Sequence, residues 1–253
     1  MMINLYKEKG ETPLERMRRF SLASPEYNNQ PMTYAGRLDP MAEGVLLVLT
    51  GEDVHKKETY SALTKEYTFE VLFGVETDSY DILGKISKVS ETHSIVSEDK
   101  IKEFLGMYRG MIDQEYPPYS SKPVEGKPLW QWAREGKITE ITVPKHSVEI
   151  FGSLLMSIRT LPPNEIIVKI LNDLSKISGD FRQEEITKGW KDFFGKRSER
   201  TCMTALIETR CGSGTYVRSI VHELGKFLSI GATTLHIVRT KVGNYSINDS
   251  IRS

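Results

Sequence analysis

Apolar and polar residues alternate along Glu66-Tyr67-Thr68-Phe69-Glu70-Val71-Leu72-Phe73-Gly74. A period of two puts every second side chain on one face of a strand, and the β-branched and aromatic content agrees. Ser147–Ile158, Met203–Thr209 and Leu235–Val242 read as strands, and Val45–Thr50 is an apolar run of strand length. Lys85–Val89 continues as a strand after a polar loop made by Thr77–Asp81 and Gly84. Helical spacing shows elsewhere. Pro13 opens a helix over Leu14–Leu22, with Arg16, Arg18 and Arg19 on its polar side. Ser97 is placed to cap a helix over Glu98–Leu105, although Lys100 stands where a capping box wants Glu or Gln. Leu129–Glu135, stopped at Gly136, and Tyr216–Leu228, closed by Gly231, are two more helices. Asn28–Thr33 is predicted as loop, Thr59–Thr64 as a short connection or helix end, and Tyr116–Ser121 as extended because of its prolines.

Leu161–Arg200 breaks this rhythm. It opens on Pro162-Pro163, holds helix-like pieces at Ile166–Ile177 and Gln183–Phe194, and ends in Lys196-Arg197-Ser198-Glu199-Arg200. We read it as an insertion between two strands, in which Ile166-Ile167-Val168 would equally suit a strand. Strands and helices in irregular order, with hairpin-like spacings, predict an α+β fold with a mixed, mostly antiparallel sheet and flanking helices.

Composition narrows the chemistry. The chain of 253 residues can bury a substantial core. The N-terminus lacks the apolar stretch of a signal peptide, and no apolar run is long enough to span a bilayer, so a cytoplasmic protein without a membrane partner is expected. Cys202 and Cys211 have no metal-ligand spacing and read as reduced, with a cross-strand pair left open. His55, His93, His146, His222 and His236 are scattered, with no metal spacing, and there is neither a glycine-rich nucleotide loop nor a nucleophile elbow. Neither a cofactor nor a metal is expected. Thirty-four basic residues balance thirty-four acidic ones, which weighs against a nucleic-acid partner in bulk. A local basic face suffices, however, and Arg16–Arg19, Lys56-Lys57 with Lys65, and Lys196–Arg200 are the candidates.

One short segment stands out chemically. Gly36-Arg37-Leu38-Asp39-Pro40-Met41-Ala42-Glu43-Gly44 runs directly into the Val45 strand, which places Asp39 on a turn against rigid sheet. A reactive carboxylate suits such a place, because loops on a fixed scaffold often carry chemistry. The local pattern by itself favours a plain Asp-Pro surface bend.

Further motifs follow in order: Lys65-Glu66-Tyr67; Thr77-Asp78-Ser79-x-Asp81-x-x-Gly84; Tyr119-Ser120-Ser121 with Gly126-Lys127; and Ala133-Arg134-Glu135-Gly136. Gly214-Thr215-Tyr216-Val217-Arg218 and Arg239-Thr240-Lys241-Val242-Gly243 complete the set. Together they resemble the TruB-type pseudouridine synthases, which isomerise a uridine in the T arm of tRNA. The resemblance covers most of Leu5–Ile251 outside the insertion. Gly36-Arg37-Leu38-Asp39 is also similar to the ribosomal small-subunit branch of these enzymes, whereas its continuation and all later motifs resemble TruB.

The resemblance implies a pseudouridine synthase fold and an ionised Asp39 acting on the sugar of a flipped-out nucleotide. It implies that Arg218 pairs with Asp39, and that Tyr67 stacks on the target base and offers its phenol for proton abstraction. Tyr34, Tyr216 and Ile237 are implied to contact the RNA, Tyr34 where the family usually has His, while Ile237 fits plain core equally. Lys7-Glu8 departs from the family's Lys-Pro, and Lys122 and Pro123 replace its usual Leu and Lys. No separate PUA-type domain is apparent after Ser246, and Lys188, Lys191, Lys196, Arg197 and Arg200 of the insertion would compensate for it or serve another role. A single catalytic domain over 1–253, acting as a monomer on the tRNA T arm without cofactor, is therefore expected. The alternatives are a ribosomal-RNA pseudouridine synthase and a catalytically silent RNA-binding or tRNA-folding protein of the same fold.

Overall fold

The fold comes from a computed structural model, in which residues 1–27, 29–90, 96–197 and 200–252 are described. Asn28, His93, Ser198 and Glu199, which figured in the sequence reading, lie outside them. Strand β1 (Met2–Lys7) leads to helix α1 (Pro13–Ala23), and β2 (Met32–Ala35) and β3 (Ala42–Thr50) flank the Asp39 turn. After α2 (Lys57–Ala62) come β4 (Lys65–Phe73) and a hairpin of β5 (Val75–Thr77) and β6 (Ile86–Val89). Helix α3 (Glu98–Met107), β7 (Gly110–Glu115), a tight hairpin of β8 (Pro123–Val124) and β9 (Lys127–Pro128), and α4 (Leu129–Arg134) follow. The long β10 (Lys145–Leu161) runs into α5 (Pro163–Leu174) and α6 (Gln183–Gly195). The chain ends with β11 (Cys202–Cys211), α7 (Val217–Phe227), β12 (Ala232–Val242) and β13 (Tyr245–Ser246).

The central sheet runs β1-β3-β12-β4-β11-β10-β7, with β2 on β3 and β13 on β12. Its pairings are antiparallel except β3 with β12, which is the mixed α+β sheet expected. Alternation on β4 sorts the two faces. Phe69, Val71 and Phe73 pack with Ile101, Phe104 and Leu105 of α3 and with Ile220, Val221 and Leu224 of α7. Leu72, of opposite parity, packs with α5 and α6. Those two helices each carry an i, i+4, i+8 stripe, Ile166-Ile170-Leu174 and Ile186-Trp190-Phe194, all buried. The stripe, with Pro163 in the first turn, makes Ile166–Val168 helix rather than strand.

The structure corrects several local readings. Met32 and Thr33, placed in a loop, belong to β2 and pair with Thr50 and Leu49. Strands β1 and β7 were not predicted; β7 is an edge strand whose Asp113, Gln114 and Glu115 hide its pattern. Ser97 occupies the cap position of α3 but its side chain makes no capping bond, whereas Thr12 and Glu15 form a full capping box on α1. Arg16 is not on a polar face: it is fully buried, and its Nε donates to Tyr6 O at 2.6 Å and its Nη2 to Ile251 O at 2.9 Å. Cys202 and Cys211 are free and lie at opposite ends of one strand, so they form no cross-strand pair. No described helix is long and apolar enough to cross a membrane.

Candidate active site

The Asp39 turn bridges β2 and β3 and closes with Ala42 N donating to Asp39 O at 3.0 Å. Leu38 anchors it in the main core. Two buried cations grip its backbone from within the protein. Arg239, on β12, donates from Nε to Val45 O (2.7 Å), from Nη1 to Arg37 O (3.2 Å) and from Nη2 to Gly36 O (3.3 Å). Lys7, at the end of β1, donates from Nζ to Ala42 O (2.6 Å), Glu8 O (2.8 Å) and Pro40 O (3.4 Å). Burial pulls the Lys7 amine down to about 8, against the pull of Glu11 and Asp39. The parallel register of Gly44 opposite Arg239 demands glycine: with φ at +109°, a Cβ there would meet Arg239 O at 2.3 Å. The turn is thus rigid, and Asp39 offers its carboxylate with 29% of the side chain exposed.

That carboxylate points into a cleft of about 810 Å³. Arg218, in the first turn of α7, donates from Nε to Asp39 Oδ2 at 2.8 Å while only 3% exposed. Its Nη1 donates to Ser79 O at 2.7 Å and its Nη2 to Tyr119 O at 3.4 Å. Asp81 Oδ2 lies 3.7 Å from the same Nε, and Oδ1 accepts from Ser79 Oγ (2.6 Å) and Leu83 N (3.0 Å). Burial opposes the charge on Arg218, but Asp39 and then Asp81 more than offset it, so the guanidinium is held charged more firmly than usual. Burial drives the Asp81 carboxyl the other way, above the ordinary range despite Arg218.

Aromatic residues form the walls. Tyr67, on β4, is buried beside the cleft, directly across the sheet from Arg239. Burial raises its phenol, and Arg239 pulls the other way. Tyr216 precedes α7 and is held through its backbone: its N donates to Gln114 Oε1 at 2.7 Å, and its O accepts from Gln114 Nε2 at 3.1 Å. Its ring meets Tyr116 edge-on at 5.7 Å, and Tyr116 stacks on His146 at 4.1 Å. Tyr34 reaches the cleft from β2, with Lys57 Nζ 5.8 Å from its ring centre. Asp39, Arg218, Tyr67, Tyr216 and Tyr34 therefore converge on one cavity. Ile237 does not line it; this residue packs in the main core opposite Ala42 and Phe69.

Lys65, grouped with surface lysines in the sequence reading, is buried; its Nζ donates to Ser61 O and to Leu63 O, the latter at 2.6 Å, and burial pulls it down to about 8. Lys188 and Lys191 on α6 are exposed, as are Lys196 and Arg200 beyond its end, while Arg197 lies over the Phe193 ring at 4.7 Å. Sequence reasoning gave no role to Asp81, Arg239, Lys7 or Arg182. For Arg239 no local signal was available, because β12 also carries Thr233, Thr234, His236, Thr240 and Lys241. Among the described residues no group of three or more His, Cys, Asp or Glu is placed to hold a metal ion.

Comparison with known proteins identifies a family. A family model described as "TruB family pseudouridylate synthase (N terminal domain)" matches residues 26–174. The chain is 31% identical over 252 residues to the tRNA pseudouridine synthase B of Thermosipho melanesiensis, covering 98% of this chain and 66% of that protein. It is 30% identical over 251 residues to the tRNA pseudouridine synthase B of Lactobacillus acidophilus, covering 99% and 71%. It thus spans about two thirds of those relatives' length. Among solved structures, a chain from the crystal structure of a Cbf5-Nop10-Gar1 complex superposes with a TM-score of 0.58 at 19% identity. The match covers 97% of this chain and 49% of that one, and shows a shared fold.

Proposed function

The chain belongs to the TruB family of pseudouridylate synthases, and from that premise we propose that it converts a uridine in the T loop of tRNA to pseudouridine, with Asp39 as the catalytic carboxylate. One observation carries the reading: residues 179 apart, Asp39 and Arg218, meet at 2.8 Å inside an aromatic-walled cleft. A bidentate-capable guanidinium that never loses its charge holds and aims the Asp39 carboxylate. The reaction breaks the N1–C1′ bond, turns the uracil, and joins C5 to C1′. The C5 proton leaves and N1 gains one, so atoms balance with no co-reactant. An ionised carboxylate beside C1′ stabilises the detached sugar, covalently or by charge.

Flipping a uridine out of a folded loop costs a few kcal/mol, which ring stacking in a closed pocket offsets. Tyr67 and Tyr216 supply those faces, and Tyr34 lies where the vacated stack would be met. Burial holds the Tyr67 phenol protonated at rest, so its ring serves as platform first. The phenol hands its own proton to N1 and, as a phenolate whose charge Arg239 balances, takes the C5 proton, which restores the phenol. Ile237 contributes through the core beneath the pocket rather than by touching the base. On this reading residues 1–253 form one catalytic domain with 161–200 as an insertion, and the exposed lysines of α6 extend the RNA surface. On the same reading the chain acts as a monomer on tRNA in the cytoplasm.

The test is to incubate an unmodified T-arm hairpin with the wild type and with Asp39→Asn, mapping pseudouridine by chemical probing. Modification by the wild type and none by the variant is expected. Equal rates would sink the nucleophile assignment, binding without modification would indicate an RNA-folding protein, and modification of ribosomal fragments alone would indicate the other branch. Tyr67→Phe, which keeps the ring, should bind the hairpin and lose turnover; full turnover would confine Tyr67 to stacking.

A further inference from the structure

We propose that Arg182 is a positioning residue for this reaction: from the connection between α5 and α6 it fixes the Asp78–Tyr119 pair, whose adjoining carbonyls aim Arg218 at Asp39. Arg182 Nη1 donates to Asp78 Oδ2 at 2.7 Å and Nη2 to Asp78 Oδ1 at 3.3 Å. The guanidinium also lies over the Tyr119 ring at 4.5 Å, and Tyr119 Oη donates to Asp78 Oδ2 at 3.1 Å. Asp78 Oδ1 further accepts from Lys85 N at 2.8 Å. Arg182, Asp78 and Tyr119 thus form one closed unit of fork, carboxylate and ring.

Its link to the chemistry runs through two backbone atoms. Ser79, next to Asp78, gives the carbonyl that accepts from Arg218 Nη1, and Tyr119 itself gives the one that accepts from Nη2. Those two bonds leave Nε facing Asp39. A shift in either carbonyl therefore rotates the guanidinium away from the carboxylate. The local backbone is consistent with a side chain placed for use: Arg182 sits in the left-handed region at φ 65°, a conformation non-glycine residues seldom adopt. Asp180, two residues earlier, is tied to Arg134 of α4, which fixes the connection at a second point. Arg182 is 15% exposed, with both terminal nitrogens engaged by Asp78, so it does not offer a free cation to RNA.

The kinetic arm of the test rests on the proposed pseudouridine synthesis; the spectroscopic arm does not. In the full-length chain, Arg182→Ala should lower kcat by up to about a hundredfold, the cost of misplacing reacting groups by roughly 1 Å, with KM for the hairpin unchanged. Arg182→Lys, which keeps the charge without the fork, should recover part of the loss. In an Asp78→Asn background Arg182→Ala should add little, because the two act as one unit. Glu185→Ala, which removes the exposed Lys85 bridge from the same helix, should behave as wild type. A salt-steep rise in KM with kcat intact would make Arg182 an RNA contact, and additive losses would uncouple it from Asp78; either overturns the proposal. Separately, the Arg218 Nε–H resonance, identified by its loss in Arg218→Lys, should exchange with solvent faster in Arg182→Ala and not in Glu185→Ala. Unchanged exchange overturns the proposal even if the wild type proves to make no pseudouridine. Should Arg182→Ala fail to fold, Arg182→Lys carries both arms.

Discussion

Replacing Lys7 with Met should change how stability depends on pH in a way set by the buried amine under the Asp39 turn. Lys7 is fully buried, and desolvation lowers its pKa from 10.5 to about 8. Between those values the unfolded chain holds a proton that the folded chain has released, so stability rises with pH through that window. Below pH 8 both states are protonated and the penalty is constant. A shift of about 2.5 units corresponds to about 3 kcal/mol in full, of which about 2 kcal/mol is relieved between pH 7.0 and 9.5. Lys65 and the raised tyrosines titrate alike in wild type and variant and cancel in the difference. The assay is urea unfolding of both proteins at pH 7.0 and 9.5. The wild type should gain about 2 kcal/mol relative to Lys7→Met across that interval, equivalent to about 4–8 °C in Tm for a chain of this size. A difference that stays flat or falls would mean that Lys7 is not held as a desolvated cation, and the account of how the turn is pinned would go with it.

Arg218→Lys keeps the charge but loses the three-way contact with Asp39, Ser79 O and Tyr119 O; single-turnover rates should fall by about 10²–10³, the usual loss for a preorganised donor, and wild-type rates would refute the role given to the fork. His222, on α7, stacks on Tyr80 at 3.7 Å with its Nδ1 buried and without a hydrogen-bond partner among the described residues, and burial followed by Lys226 brings it down to about 4. Because this value lies below that of an unfolded histidine, stability is lost as pH falls from about 6.5 toward 4. His222→Phe should reduce that acid sensitivity in urea midpoints measured at pH 7 and 5, and equal losses in both proteins would refute it.

Local periodicity carried the strands and helices that bury a continuous face. The Ile166 and Ile186 stripes, the alternation of β4 and the amphipathic α7 each encode their burial within a few residues. Strands whose exposed or edge positions break the alternation, such as β2 and β7, were not legible, because their pairing comes from neighbours far along the chain. The sequence by itself also settled the family, through the order of short motifs around Asp39, Tyr67 and Arg218. Tertiary structure decided which of the named residues share a cavity, bringing Tyr34 and Tyr216 into it and leaving Ile237 in the core beneath. It also decided the fate of the cations. Arg16, Lys65, Lys7 and Arg239 look like solvated charges in a one-dimensional pattern, yet each is buried on backbone carbonyls, those of Arg16, Lys7 and Arg239 coming mainly from other elements of the fold. A carbonyl acceptor belongs to every residue and leaves no mark in the side-chain sequence, so only folding shows where such a charge can be satisfied.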